Sequence, residues 1–94
     1  MEIKLKIEGT KGAAIAEENG TKAGEMTFSV ASEELIIIDH TEVDPAFKGK
    51  SLGKKLLYKI VEMAREKNTK ILPLCPFANA MFQKLEDIQD VLKK

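Results

Sequence analysis

Three places in this chain carry residue types that could do chemistry. The first is Lys48-Gly49-Lys50-Ser51-Leu52-Gly53-Lys54-Lys55, with four lysines in eight residues and no acid among them. Two glycines in a loop that opens a helix let backbone come close to a ligand. The first-turn N–H groups of any helix lack intrahelical partners, and the dipole adds roughly half a positive charge there. A phosphate in such a place gains hydrogen bonds and a favourable field together. The run is neither a P-loop nor a dinucleotide fingerprint, whose glycine spacings are absent. The bland alternative is a solvated, lysine-rich helix start. The second place is Cys75, the single cysteine, expected at the end of a strand and beside a helix start, a position that suits a nucleophilic sulfur. Its plain alternative is a small buried hydrophobe. The third is His40, the single histidine. If no bulge intervenes, it shares a strand face with Ile36, Ile38 and Glu42. It could take a proton, or activate Cys75 with Glu42 as a partner, or be a core or rim residue.

These residues need elements to hold them. Residues 2–8 alternate apolar Ile3, Leu5 and Ile7 with charged neighbours, predicting a half-buried strand. Gly9–Gly12 reads as a turn and 13–18 as an alanine-rich strand. Asn19-Gly20 is a strong hairpin signal, because both central turn positions want positive φ. Met26, Phe28 and Val30 mark a third strand and 31–34 a turn. Residues 35–43 form a fourth strand whose run Leu35-Ile36-Ile37-Ile38 predicts cover on both faces. Asp44-Pro45 ends it. From near Ser51 a helix carries Leu52, Leu56, Leu57, Ile60, Val61 and Ala64 on one face and stops at Asn68. A short strand spans 70–74, and a second helix near 77–85 places Phe77, Met81 and Leu85 on one stripe. The tail 86–94 adds a turn or two, docked by Ile88, Val91 and Leu92. Met26, Met63, Met81 and the phenylalanines read as core. The order β-β-β-β-α-β-α makes this a single α+β domain over residues 1–94 with a mixed sheet. The right-handed crossover predicts that strands four and five are parallel. Ligands of such sheets sit beyond the carboxyl ends of the parallel strands.

Composition narrows the class. Ninety-four residues, 44% apolar and 32% charged, describe one small globular domain. No apolar run approaches the ~18 residues of a membrane span, so no membrane association is expected. One cysteine precludes an internal disulfide and suits a reducing, cytoplasmic compartment. Net charge is zero, but residues 1–44 hold ten acids and four bases, and 45–94 five acids and eleven bases. The basic run is thus a local anion site rather than a nucleic-acid footprint, and no nucleic-acid partner is expected. No spacing suits a metal. A monomer or weak dimer is expected.

The segments Asp39-His40-Thr41-Glu42-Val43, Phe47-Lys48-Gly49-Lys50, Leu52-Gly53-Lys54-Lys55-Leu56 and Pro73-Leu74-Cys75-Pro76-Phe77 together resemble the minimal, roughly 90-residue GNAT-like N-acetyltransferase family of the acyl-CoA N-acyltransferase superfamily. The resemblance covers about residues 36–85. The superfamily's pyrophosphate loop reads Gln/Arg-x-x-Gly-x-Gly/Ala, and here Lys48 stands for Gln/Arg and Ser51 for a commonly occurring middle glycine. The resemblance implies a sheet splayed between strands four and five with acetyl-CoA in the wedge. It implies that the backbone around Val43 meets the pantetheine arm. Lys48, Gly49, Lys50, Ser51, Leu52, Gly53, Lys54 and Lys55 would hold the pyrophosphate, while Asn79 and Phe82 would flank the thioester. It implies transfer of acetyl to an amine with Cys75 and His40 in the chemistry, directly or through acetyl-Cys75. Many such enzymes carry a tyrosine after strand five, where this chain has Phe82; its one tyrosine, Tyr58, lies in the first helix. The small size keeps open a non-catalytic module that binds CoA or another phosphate ligand, or a protein-interaction domain.

Overall fold

Alternating side chains give a strand one wet and one dry face, and the first 43 residues use this rule four times. In a computed structural model, which describes residues 1–49 and 51–93, β1 (Glu2–Glu8), β2 (Lys11–Glu18), β3 (Thr21–Ser32) and β4 (Leu35–Val43) form an antiparallel meander. The Asn19-Gly20 turn has positive φ at both residues, 51° and 79°, as its hairpin signal demands. The first turn is tighter than expected: only Gly9 and Thr10 lie between strands, and Lys11 and Gly12 already pair. β3 is also longer than its apolar alternation suggested.

After a 3-10 turn at Pro45–Phe47 come α1 (Leu52–Lys67), β5 (Lys70–Pro73), α2 (Pro76–Lys84) and a 3-10 segment at Glu86–Val91. The sheet order is β1-β2-β3-β4-β5, and β5 runs parallel to β4 as the crossover predicted. Leu92 bridges to Ile71 on the outer edge of β5. None of the described helices is long and apolar enough to cross a membrane.

The dry face is a set of rows across the sheet. Ile3, Ala16, Gly24 and Val43 make one; Leu5, Ala14, Met26 and Thr41 the next; Ile7, Gly12, Phe28, Ile38 and Pro73 a third. α1 lays Leu52, Leu56, Leu57, Ile60, Val61 and Ala64 on this surface, and Ala78, Phe82, Ile88 and Val91 complete a single core. The small residues of β2 and β3 let the helix approach closely: a Cβ on Gly24 would lie 3.2 Å from Leu52.

Two expectations are corrected. Leu35 and Ile37 of β4 are only half-buried, as is Leu72, the partner of Ile37. The sheet is covered on one face, not both. Phe47 and Met81 are half-buried and Phe77 is 39% exposed, so these three are not core filler, unlike Phe28 and Phe82.

The C-terminal segment is tied to α1 by polar bonds. Arg65 donates to both Asp90 carboxylate oxygens at 3.0 and 2.9 Å and to the Asp87 carbonyl at 2.6 Å. The Arg65 bond and charge hold the Asp90 carboxyl below its usual range. Tyr58 donates to Asp87 Oδ2 at 2.6 Å. That hydrogen bond, then partial desolvation, then the Asp87 charge raise the phenol above its usual 10.0. A raised folded-state value means the bond stabilises the fold at all pH below the ordinary phenol range and is lost as pH rises through the folded value. Because the chain has one tyrosine and no tryptophan, phenolate absorbance reads this group alone. The titration is expected to be displaced upward in the native chain and to move back down in Asp87→Asn; a native midpoint at the free-tyrosine value contradicts the bond.

Candidate active site

The site begins with one extra residue. In β3–β4 pairing Thr27 meets His40 and Phe28 meets Ile38, so Asp39 has no partner and forms a bulge. A bulge reverses the alternation beyond it. Ile36 and Ile38 point into the core, and after Asp39 it is Thr41 and Val43, not His40 and Glu42, that continue on that face. His40 and Glu42 are exposed on the open face instead. The condition on which His40 shared a face with Ile38 therefore fails.

The bulge coincides with the end of parallel pairing. The last β4–β5 rung is Ile38 with Pro73. Leu74 and Cys75 both donate their N–H groups to the Ile38 carbonyl, at 3.1 Å each, and the chain then turns into α2. From Asp39 to Val43, β4 has no β5 partner on that side, so the two strands part.

Cys75 is the N-cap residue of α2, with an extended backbone and no side-chain capping bond. It is 3% exposed, and its Sγ lies 3.1 Å from Thr41 Oγ1. Among the described residues the hydroxyl that meets Cys75 thus comes from Thr41, which the sequence reading did not single out. Only the bulge puts it there.

The lysine-rich loop is shaped by backbone. Asp44 Oδ1 accepts from Ala46 N–H at 2.9 Å and starts the 3-10 turn. Gly49 has φ 84° and Ser51 φ 55°, both in the left-handed region that glycine adopts most easily. Ser51 is the N-cap of α1 yet makes no side-chain cap, and no acid lies in the first turn. Among the described residues no side chain caps the first-turn N–H groups, so they are left to another acceptor. At Gly53 a Cβ would lie 2.5 Å from the Phe77 ring, so the missing side chain makes room for that ring. Lys50 lies outside the described residues.

Together these parts line an open cavity of about 760 Å³. Its lining includes Thr41 and Val43 from β4, Lys48, Gly49, Ser51, Leu52, Gly53 and Lys54 from the loop and α1, Phe77 and Met81 from α2, and Leu85 just after it. Of the expected site residues, Val43, Lys48, Gly49, Ser51, Leu52, Gly53 and Lys54 converge here; Cys75, His40, Lys55, Asn79 and Phe82 do not line it. Lys55 is exposed away from the cavity. Asn79 points its amide at the Pro73 carbonyl (3.4 Å) and accepts from Gln83 at 2.6 Å. Phe82 is 1% exposed, inside the core. The helical stripe 77-81-85, in which Phe77 and Met81 are expected as core, lines the cavity, while Ala78 and Phe82 pack into the core. Uncapped amides and flanking lysines at one end, an apolar channel, and a strand with an unpaired edge at the other fit a long ligand with a diphosphate.

A mixed sheet that opens between its parallel strands beside a lysine-flanked helix start defines a GNAT acetyltransferase fold. Residues 13–91 match the model of the GCN5-related N-acetyltransferase family, and the chain belongs to that family. A GCN5-like protein of Staphylococcus aureus solved by NMR is 38% identical, with 96% of this chain and 87% of that one covered and a TM-score of 0.71. Ribosomal-protein-alanine N-acetyltransferase of Brucella melitensis shares the fold at 19% identity (TM-score 0.71; 83% and 62% covered). A GNAT acetyltransferase of Elizabethkingia anophelis, solved with acetyl-CoA bound, shares it at 19% (TM-score 0.65; 80% and 52% covered). The chain thus spans little more than half the length of these larger enzymes. No curated protein matches it.

Proposed function

We propose that this chain is an acetyl-CoA-dependent N-acetyltransferase that moves acetyl to an amine acceptor in the reducing cytoplasm. The observation that carries the reading is the junction of an uncapped, lysine-flanked α1 start with a cavity leading to the parted edges of β4 and β5. Acetyl-CoA supplies the acetyl group as a thioester. In the balanced reaction a carbon–nitrogen bond forms, the carbon–sulfur bond breaks, the CoA sulfur takes a proton, and the amine nitrogen gives one up.

The residues divide this work. The amides of 52–54 with Lys48 and Lys54 hold the diphosphate. Phe77, Met81 and Leu85 exclude water from the arm between. The unpaired edge of β4 orients the thioester and polarises its carbonyl, so that positioning and fixed dipoles supply most of the catalysis. His40, exposed on the opposite face of the same strand, takes the proton from an amine arriving on the open side of the sheet. Cys75, at the inner end, assists the thioester or carries the acetyl group transiently.

Two measurements test the reading. CoA in excess at about 100 times its Kd should stabilise the fold by ~2.7 kcal/mol, seen as a rise in melting temperature; no rise removes acetyl-CoA from the account. Incubation with acetyl-CoA followed by intact-mass measurement separates the routes. One added acetyl group in the native chain and none in Cys75→Ala supports the covalent route; an unmodified chain that still turns over acetyl-CoA supports direct transfer.

A further inference from the structure

Cys75 is buried and does not line the cavity, whereas Thr41, half-buried, does. The thiol's polar contact to Thr41 Oγ1 at 3.1 Å makes the hydroxyl the link between the sulfur and any ligand. A hydroxyl has one proton and two acceptor lone pairs, while a thiol is a weak donor and a sulfur a weak acceptor. Without a ligand, either atom can donate to the other. With a carbonyl oxygen presented in the cavity, the best allocation of two protons is unique: the threonine O–H goes to the carbonyl, the strongest acceptor, and the cysteine S–H goes to Oγ1.

The location fits a reactive end rather than a phosphate end. Val43 and Thr41 follow one another along the same face of β4, with Val43 nearer the lysine loop and Thr41 further in. A ligand anchored at Lys48, Gly49 and residues 51–54 and running along β4 reaches Thr41 last.

Resting on the acetyl-CoA reading above, we infer that Thr41 distinguishes the acetyl thioester from free CoA by donating its hydroxyl proton to the thioester carbonyl, with Cys75 as the positioning residue that holds the hydroxyl in that rotamer. Free CoA has a thiol in place of the carbonyl and forfeits the bond. The site therefore favours loaded coenzyme and releases the spent one.

The test is calorimetric titration of the full chain with acetyl-CoA and, separately, with CoA. A neutral hydrogen bond corresponds to about a three- to tenfold preference for acetyl-CoA in the native chain. Thr41→Val, nearly isosteric, should erase the preference while leaving CoA affinity within about twofold. Thr41→Ser should restore it, as should Cys75→Ser, which keeps a donor at that position; Cys75→Ala should lower it part way. Unchanged CoA affinity shows that each variant retains a folded cavity. A native chain that binds both ligands equally, or a Thr41→Val that keeps the preference, overturns the inference and leaves the binding reading intact. A native chain that binds neither ligand overturns both.

Discussion

Reversing Lys48 and Lys54 together to glutamate is expected to weaken CoA binding about a hundredfold. Two unit charges ~4 Å apart in water interact by about 1 kcal/mol. Each reversal removes one attraction and adds one repulsion, so two lysines facing a diphosphate change binding by about 3 kcal/mol after screening, which is two decades in Kd. Lys55 is the internal control. It belongs to the same run and carries the same charge, but it does not line the cavity. Lys55→Glu should cost less than about threefold, the residue of a screened, longer-range field. Rising salt should weaken the native chain and leave the double variant almost flat. Equal losses at Lys48, Lys54 and Lys55 would mean that a diffuse field attracts the ligand and that the amides of 52–54 do not grip it.

The lysine run could be read in the sequence because charge and helix start are both local. So could the element order, since alternation at period two and a stripe at period 3.6 are written residue by residue, and Asn19-Gly20 names its own turn. Two things could not. The bulge at Asp39 inserts one residue without any compositional mark, and strand parity on either side looks continuous; that single residue exchanges Thr41 for His40 beside Cys75. The stripe Phe77-Met81-Leu85 is apolar at helical spacing, which fits a core and a ligand channel equally well. What decides is which side of α2 finds a closer partner. Ala78 and Phe82 meet the sheet and the C-terminal segment, with Gln89 donating to the Phe82 carbonyl. The other side is left facing the start of α1. Gly53, read as room for a ligand, also makes room for Phe77, which was not legible because the sequence shows a missing Cβ and not which atom occupies its place.

Two glycines with nearly the same crowding are expected to respond in opposite ways to alanine. A Cβ on Gly12 would lie 2.4 Å from the tip of the Phe28 ring, and one on Gly53 would lie 2.5 Å from the tip of the Phe77 ring. Both distances are below contact, so a ring must move. Phe28 is fully buried between β2 and the core and has nowhere to go. Gly12→Ala should destabilise the fold by about 1–3 kcal/mol, the range for overpacking, although alanine is otherwise favoured over glycine in a strand by about 0.5–1 kcal/mol. Phe77 is 39% exposed and borders the cavity, so its ring can swing into that open space. At Gly53 the helix preference for alanine, up to about 1 kcal/mol, offsets the displacement, and the unfolding midpoint in denaturant should change little. The displaced ring enters the channel, so CoA affinity should fall about tenfold, on the order of the contacts one aromatic side chain makes. Gly53→Ala with Phe77→Leu should recover most of that affinity, because the smaller side chain clears both the new methyl and the ligand. Denaturation and calorimetry on the three variants thus separate a glycine that guards the core from one that guards the channel; a Gly53→Ala chain that is destabilised while binding CoA normally would assign Gly53 to the core as well.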